Sequence, residues 1–138
     1  VCYYEVTEGS VSFYSDMMLS HGYYWKSCKV DGYMKIRVAS EIVYCIYRMI
    51  LQENEILFPC NRRLEEYVDL CPDKRENIVQ KCRTFCETMD DALLDDIIAS
   101  YHAWTKWEHN SDIGVICSRR QLDFEKWWYI PRPLVGEW

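Results

Sequence analysis

Apolar residues recur at helical spacing through most of this chain, and that periodicity restricts the fold more than any other feature. Ile78, Cys82, Phe85 and Met89 follow one another at intervals of three or four residues, which places them on one face of a helix. Comparable stripes predict helices over residues 10–20, 40–52, 60–71, 73–88 and 90–108. With a further helix near the C-terminus, the pattern predicts an all-α or mainly α bundle of four to six helices.

Local signals predict where some elements begin and end. Residues 33–38, YMKIRV, alternate in polarity, which favours a short strand and allows at most one short strand pair. Ser118 is followed three residues later by Gln121, a capping-box pattern that predicts the start of the last helix. Pro131 and Pro133 cannot continue a helix, so we expect a single helical domain over residues 1–138 with an extended tail from about residue 130.

Cysteine is unusually frequent, with eight residues among 138. An even count at this density, together with Val1 as the first residue, predicts a secreted chain whose signal peptide has been removed and in which at least three disulfides form. Free thiols in a cytosolic protein are the alternative. The eight cysteines are Cys2, Cys28, Cys45, Cys60, Cys71, Cys82, Cys86 and Cys117.

Neither a metal site nor a catalytic constellation is predicted. Cys82 and Cys86 would share one helix face and could supply two ligands, but no C-x2-C knuckle accompanies them, as structural zinc sites usually require. The acidic pairs within residues 90–96 fall on the solvent face of an amphipathic helix, and no nucleophile motif or glycine-rich phosphate loop occurs. We therefore expect a non-enzymatic protein without a cofactor.

Charge and hydropathy exclude two further classes of partner. The net charge is −6, whereas proteins that bind nucleic acid usually carry a basic face. No apolar run approaches the length of about 20 residues that a membrane-spanning helix needs. The expected partner is accordingly another protein outside the cell.

Aromatic residues exceed what a core of this size can bury, with six tryptophans and eleven tyrosines. Tyrosine, tryptophan and arginine dominate the energetics of protein interfaces, so the surplus predicts a partner-binding surface. The alternative is that the aromatic residues near position 128 attach the last helix to the bundle. The candidate binding residues are Tyr23, Tyr24, Trp25, Trp127, Trp128, Tyr129, Arg132 and Trp138.

The order of the cysteines resembles that of the short-chain four-helix-bundle cytokines, the family of macrophage colony-stimulating factor and stem cell factor. The likeness rests on Cys2, Cys28, Cys45, Cys71, Cys82 and Cys117 and on the segments EIVYCIYRMILQ and KCRTFCETMDDALL. It implies a receptor ectodomain as partner, bridges joining Cys2 to Cys71 and Cys45 to Cys117, and a homodimer linked through Cys28. Cys60 and Cys86 have no counterpart in that layout.

A second resemblance concerns the Cys-x3-Cys spacing of Cys82 and Cys86, which is similar to that of insect odorant-binding and salivary carrier proteins. Those proteins have further cysteines after the position of Cys117, and this chain has none. The resemblance implies an alternative function, the carriage of a small hydrophobic ligand. A secreted ligand or effector that binds a protein remains the favoured interpretation.

Overall fold

The computed structural model describes the backbone of residues 8–126 and the side chains of residues 13–119. Every regular element in that backbone range is helical and none is a strand, which confirms the predicted all-α class. The helices are α1 (Glu8–Ser27), α2 (Gly32–Glu53), α3 (Leu64–Leu70), α4 (Ile78–Thr88), α5 (Asp91–Trp104) and α6 (Ile113–Lys126), and a 3-10 turn at Asn61–Arg63 precedes α3. The tail expected from about residue 130 lies outside the described residues.

The two longest helices, α1 and α2, form an antiparallel hairpin, here called the first hairpin. Near its turn, the Lys35 Nζ lies 5.2 Å from the centre of the Trp25 ring. Toward the other end, the Arg48 guanidinium lies 5.1 Å from the centre of the Tyr14 ring. Residues late in α1 therefore contact residues early in α2, and residues early in α1 contact residues late in α2, so the two helices are antiparallel. The short connection over residues 28–31 is what an antiparallel helix pair needs.

Helices α4 and α5 form a second hairpin with an even shorter connection. Met89 ends α4 with a φ of 55°, and Asp90 caps α5 by accepting hydrogen bonds from the backbone N–H groups of Ala92 and Leu93. A left-handed residue followed by an acidic N-cap stops one helix and starts the next without a loop. The second hairpin is therefore defined largely by these two residues.

The hairpins meet through α1 and α5 and through the C-terminal end of α2. Gly22 leaves so little room that an added Cβ would lie 3.3 Å from Ile98 Cδ1, so α1 and α5 approach closely there. The Tyr101 hydroxyl of α5 donates to Glu53 Oε1 of α2 at 3.1 Å. Burial of apolar side chains between the hairpins supplies most of the stabilisation. Fully buried core residues include Met18, Ile42, Ile46, Met49, Cys82, Phe85, Leu94 and Ile97.

The predicted strand over residues 33–38 is wrong, because this segment forms the first turns of α2. Asp31 takes an extended conformation before the helix, and its side chain accepts a hydrogen bond from the Gly32 N–H at 2.7 Å. That cap begins the helix eight residues earlier than the apolar stripe suggested. Tyr33 and Ile36 in the first turns of α2 face solvent. The alternation of polar and apolar residues in this segment therefore belongs to an exposed part of a helix and not to a strand.

The predicted start of the last helix at Ser118 is also wrong. Helix α6 begins at Ile113, because Asp112 Oδ1 accepts a hydrogen bond from the Gly114 N–H at 2.9 Å. Ser118 lies inside the helix, where its hydroxyl donates to the Gly114 carbonyl at 2.8 Å. Similarly, α4 begins at Ile78 and not at residue 73, since Asn77 precedes it in the left-handed conformation.

Candidate functional site: the hairpin tip and the α2 groove

Exposed apolar side chains concentrate where the first hairpin turns. Tyr23 and Tyr24, predicted from the sequence to bind a partner, are exposed at the end of α1, with Tyr23 52% exposed. On α2, Tyr33 and Ile36 are 71% and 62% exposed. We call Tyr23, Tyr24, Tyr33, Met34 and Ile36 the hairpin tip surface. They account for five of the eight large apolar side chains that are exposed among residues 13–119.

Trp25 does not belong to this surface, so its prediction as an exposed binding residue is corrected. Its side chain is only 7% exposed, and its ring centre lies 5.5 Å from that of Phe85 in α4. The indole N–H donates to Asp91 Oδ1 at 2.6 Å. Trp25 therefore joins the hairpins. The other candidates, Trp127, Trp128, Tyr129, Arg132 and Trp138, lie outside the described residues.

A groove lies beside the tip, between the outer face of α2 and the 3-10 turn, α3 and α4. We call it the α2 groove; it encloses about 700 Å³. Positions 33, 44 and 47 lie on nearly the same side of α2 because they are separated by about three and four full helical turns. The opposite wall comes from α3 and α4. The apolar and aromatic lining residues are Tyr33, Val43, Tyr44, Tyr47, Leu64 and Cys86.

Two carboxylates and one guanidinium also line the α2 groove. Glu41 Oε1 accepts from Arg37 Nε at 3.0 Å, and Glu41 Oε2 lies 2.8 Å from His21 Nε2. Burial opposes ionisation of Glu41, but the hydrogen bonds from His21 and Arg37 outweigh it and hold the carboxyl pKa below its usual range. Glu41 is therefore an anion at neutral pH.

Glu65 reaches the α2 groove from α3 and connects it to α4. Its Oε2 accepts from Arg83 at 2.7 Å and its Oε1 accepts from the Tyr47 hydroxyl at 3.0 Å. The hydrogen bond from Arg83 lowers the pKa of Glu65 more than burial raises it. Burial raises the pKa of the Tyr47 phenol, so Tyr47 remains a hydrogen-bond donor at neutral pH.

The Cys82 and Cys86 side chains lie behind and beside Tyr47. Cys82 is fully buried and Cys86 is half-buried at the groove wall. Burial raises the pKa of Cys82 to about 12, and it also raises the pKa of Cys86. Both residues are therefore thiols at neutral pH, whereas a nucleophile or metal ligand needs the thiolate. No group of three or more potential metal ligands occurs among the described residues.

None of the seven cysteines that the structure describes is in a disulfide. Cys45 is buried in α2 and Cys117 is exposed on α6, and the bridge that the cytokine resemblance implied between them is not formed. Cys28 is exposed in the turn of the first hairpin. Cys2 lies outside the described residues.

A second buried polar cluster lies at the far end of α2. Glu53 accepts hydrogen bonds from the Tyr101 hydroxyl at 3.1 Å and from the Thr105 hydroxyl. Burial raises the pKa of Glu53 despite these bonds. Nearby, the His102 and His109 rings stack with their centres 3.9 Å apart. Residues of this cluster line neither the α2 groove nor the cleft on the outer side of α3 and α4, and we interpret the cluster as structural.

Sequence reasoning found part of this site. Tyr23 and Tyr24 were recognised because the chain has more tyrosine and tryptophan residues than a core of this size can bury. Tyr33 and Ile36 were missed because their segment was interpreted as a strand, although Asp31 followed by Gly32 was an available N-cap signal. The groove was missed altogether.

Comparisons of the chain with protein-family models, with curated proteins and with solved structures find no match. Within the part of the chain that the structure describes, no helix is long and apolar enough to cross a membrane.

Proposed function

We propose that this chain is a secreted, non-enzymatic protein that binds an extracellular protein partner through the hairpin tip surface. The single observation that carries the proposal is the concentration of exposed apolar side chains at the turn of the first hairpin. Tyrosine, methionine and isoleucine exposed together are costly in water and become favourable once a partner covers them. A receptor ectodomain, or a protein that the chain blocks, is the expected partner.

The tip is well suited to docking because contacts with the second hairpin hold the end of α1 in place. Trp25 is fixed by its hydrogen bond to Asp91 and by Phe85. Lys26 forms an ion pair with Asp95 of α5. A surface held in place before binding loses less conformational entropy when the partner docks.

The test is capture of extracellular proteins by the tagged chain, with paired variants. Tyr23→Ala combined with Ile36→Ala removes two exposed side chains without touching the core. Leu70→Ala is the control, because Leu70 matches Ile36 in size and is also exposed but lies on α3. We expect the double variant to lose a specific partner that the wild type and the control retain. Equal capture by all three proteins would contradict the proposal.

Secretion is proposed from the cysteine content, with disulfide formation as its chemical consequence. In an oxidising compartment, at least three bridges are expected among the eight cysteines. Each bridge contributes about 2 to 4 kcal/mol by restricting the unfolded chain. Intact mass before and after reduction measures the number of bridges. A mass that corresponds to eight free thiols in protein taken from its natural source would refute this part of the proposal.

A homodimer through Cys28 is the quaternary arrangement that the cytokine resemblance implies. Exposure of Cys28 at the hairpin turn supports it, because an intermolecular bridge needs an accessible thiol. Light scattering under non-reducing conditions should give a dimer for Cys117→Ser and a monomer for Cys28→Ser. A dimer that persists in Cys28→Ser would show that another surface or cysteine is responsible.

Carriage of a small ligand is a second candidate function, and the α2 groove favours it. A volume of about 700 Å³ lies within the range of small-molecule sites in proteins. Native mass spectrometry of protein from its source tests this candidate, since a carrier should arrive with its ligand bound. Loss of the extra mass on mild denaturation would identify the ligand as non-covalent.

A further inference from the structure

The linker between α5 and α6, residues 105–112, is joined to the last turn of α5 by a pair of stacked histidines. The His102 ring of α5 and the His109 ring of the linker are nearly parallel, with an angle of 6° between their planes and 3.9 Å between their centres. We call this pair the histidine stack. Neutral rings in such close contact attract one another by dispersion, so the stack holds the second half of the linker against α5.

The surroundings of His102 suit a neutral ring. Its Nε2 atom is buried and has no hydrogen-bond partner among the residues that the structure describes. A charge placed on a buried ring without a partner is costly, because it loses its hydration and gains nothing in exchange. Burial and, to a smaller extent, His109 accordingly lower the pKa of His102 from 6.5 to about 4.

Charging both rings would add repulsion to this cost of burial. Two positive charges on rings whose centres lie 3.9 Å apart repel one another strongly where water is partly excluded. None of the charged groups on the surrounding elements is a cause of the shift in the pKa of His102. These groups are Asp16 of α1 with Arg119 of α6, Asp95 of α5 with Lys26, Glu53 of α2, Asp73 and Arg75 before α4, and Lys106, Glu108 and Asp112 of the linker.

We propose that the histidine stack is an acid-sensitive switch, which holds the linker on α5 at neutral pH and releases residues 106–112 in mild acid, where both rings become charged. Each released ring takes one proton from solvent and is hydrated. Histidine is the side chain whose ordinary pKa allows such a change close to neutral pH. The inference goes beyond partner binding at the hairpin tip surface and does not depend on it.

The first residue of the linker stays attached when the stack opens. The Thr105 and Tyr101 hydroxyls both donate to Glu53. Burial raises the pKa of Glu53, so a fall in pH removes the cost of burying its charge and stabilises this contact. The opening therefore begins after Thr105.

Release of the linker uncouples α6 from the second hairpin. Helix α6 packs on α1, where Ile116 is buried and Arg119 pairs with Asp16 at 2.8 Å. Neither contact involves a histidine, so α6 remains on the first hairpin while its connection to α5 becomes mobile. The switch thus changes how α6 is joined to α5 without disrupting the core.

Hydrogen exchange of the purified full chain at about pH 7.5 and about pH 5, corrected for intrinsic exchange rates, tests the proposal. The pKa of His102 is about 4 in the stack and about 6.5 in a hydrated ring, so the opening equilibrium should rise about thirtyfold between these pH values. We expect the protection of the linker amides to fall by about that factor. Peptides from α2, which contains no histidine, should keep their protection.

Three variants assign the effect to the stack. His102→Phe keeps a ring against His109 without a titrating group, so the fall in protection should largely disappear. His109→Gln removes the other ring from an exposed position, so the core stays intact and the linker should be poorly protected at both pH values. His21→Gln is the control, because His21 pairs with Glu41 in the first hairpin and its loss should leave the linker as in the wild type.

Four outcomes would overturn the proposal. They are equal protection of the linker at both pH values, an equal fall in α2 and the linker, an undiminished fall in His102→Phe, and full protection of the linker in His109→Gln. The second outcome would indicate general acid unfolding. Since the measurement uses no partner protein, it leaves the capture experiment on Tyr23 and Ile36 unaffected.

Discussion

The Trp25 indole of α1 donates a hydrogen bond to Asp91 Oδ1 in the first turn of α5, across 2.6 Å. This contact joins two hairpins whose connecting turns lie far apart in the sequence. Asp91 is exposed while Trp25 is buried, so the bond also closes the edge of the core. It is one of several contacts that hold the hairpins together, alongside the approach of Gly22 to Ile98 and the hydrogen bond from Tyr101 to Glu53.

Replacement of Trp25 should separate the contributions of packing and hydrogen bonding. Trp25→Ala removes a buried ring and should lower the free energy of unfolding by about 3 to 5 kcal/mol. Asp91→Ala removes only the acceptor and should cost about 1 kcal/mol or somewhat more. Urea denaturation of both single variants and the double variant measures the coupling. If the two effects add fully, the hydrogen bond contributes nothing.

Glu53 should be a source of instability at neutral pH. Its folded-state pKa is raised because burial disfavours the charged carboxylate. A raised pKa means that its stabilising contribution is present below the unfolded-state value and is lost as pH rises through the folded-state value. Glu53→Gln should therefore stabilise the protein at pH 7 by on the order of 1 kcal/mol.

The advantage of Glu53→Gln should shrink toward pH 4, where the wild-type carboxyl also becomes neutral. Thermal melts of both proteins across this range provide the measurement. Thr105→Val is the matched control, since it removes a donor to the same carboxylate and should destabilise. A stability difference that does not change with pH would contradict the assignment of the effect to ionisation.

His102 should make the fold sensitive to acid. Burial, and to a smaller extent the neighbouring His109, lowers its pKa from 6.5 to about 4. Because the folded-state pKa lies below the unfolded-state value, the contribution to stability is complete above about pH 6.5 and is lost as pH falls toward 4.

Comparison of the wild type with His102→Phe isolates this effect, because phenylalanine keeps an aromatic ring against His109 without the titrating group. The wild type should lose stability more steeply than the variant between pH 6.5 and 4, in chemical denaturation at matched pH values. The contribution of Glu53 is common to both proteins and cancels. Parallel pH profiles would exclude His102 as the acid-sensitive residue.

The thiols should differ greatly in reactivity once the protein is reduced under native conditions. Cys28 and Cys117 are exposed, whereas Cys82 is fully buried and burial raises its pKa to about 12. Iodoacetamide followed by peptide mass analysis should label the first two quickly and Cys82 only after unfolding. Equal labelling rates would mean that α4 opens readily, or that Cys82 is not in the core.

Helical periodicity predicted the class of the fold and most of its helices, because a buried stripe on one face follows directly from the sequence. Element starts were harder to predict where a single capping side chain decides them, as Asp31 does for α2 and Asp112 for α6. Trp25 looked like a surface residue beside Tyr23 and Tyr24. Only the position of Phe85 and Asp91, brought in by the second hairpin, places it in the core.

The α2 groove could not be predicted from the sequence for a related reason. Tyr33, Glu41 and Tyr47 come from one helix, and a helical wheel would have shown that they share a face if the helix had been extended to its true start. Glu65 and Cys86 come from two other elements. Their approach depends on how α3 and α4 pack against α2, which no local pattern encodes.

The short turns within the two hairpins have a consequence for the kinetics of folding. Residues 28–31 separate α1 from α2, and Met89 and Asp90 alone separate α4 from α5, so each hairpin can assemble from contacts that are near in sequence. Such contacts close small loops at low entropic cost and are typical of proteins that fold in microseconds to milliseconds. The slower event should then be the docking of two preformed hairpins, with Trp25 and Glu53 making their contacts last.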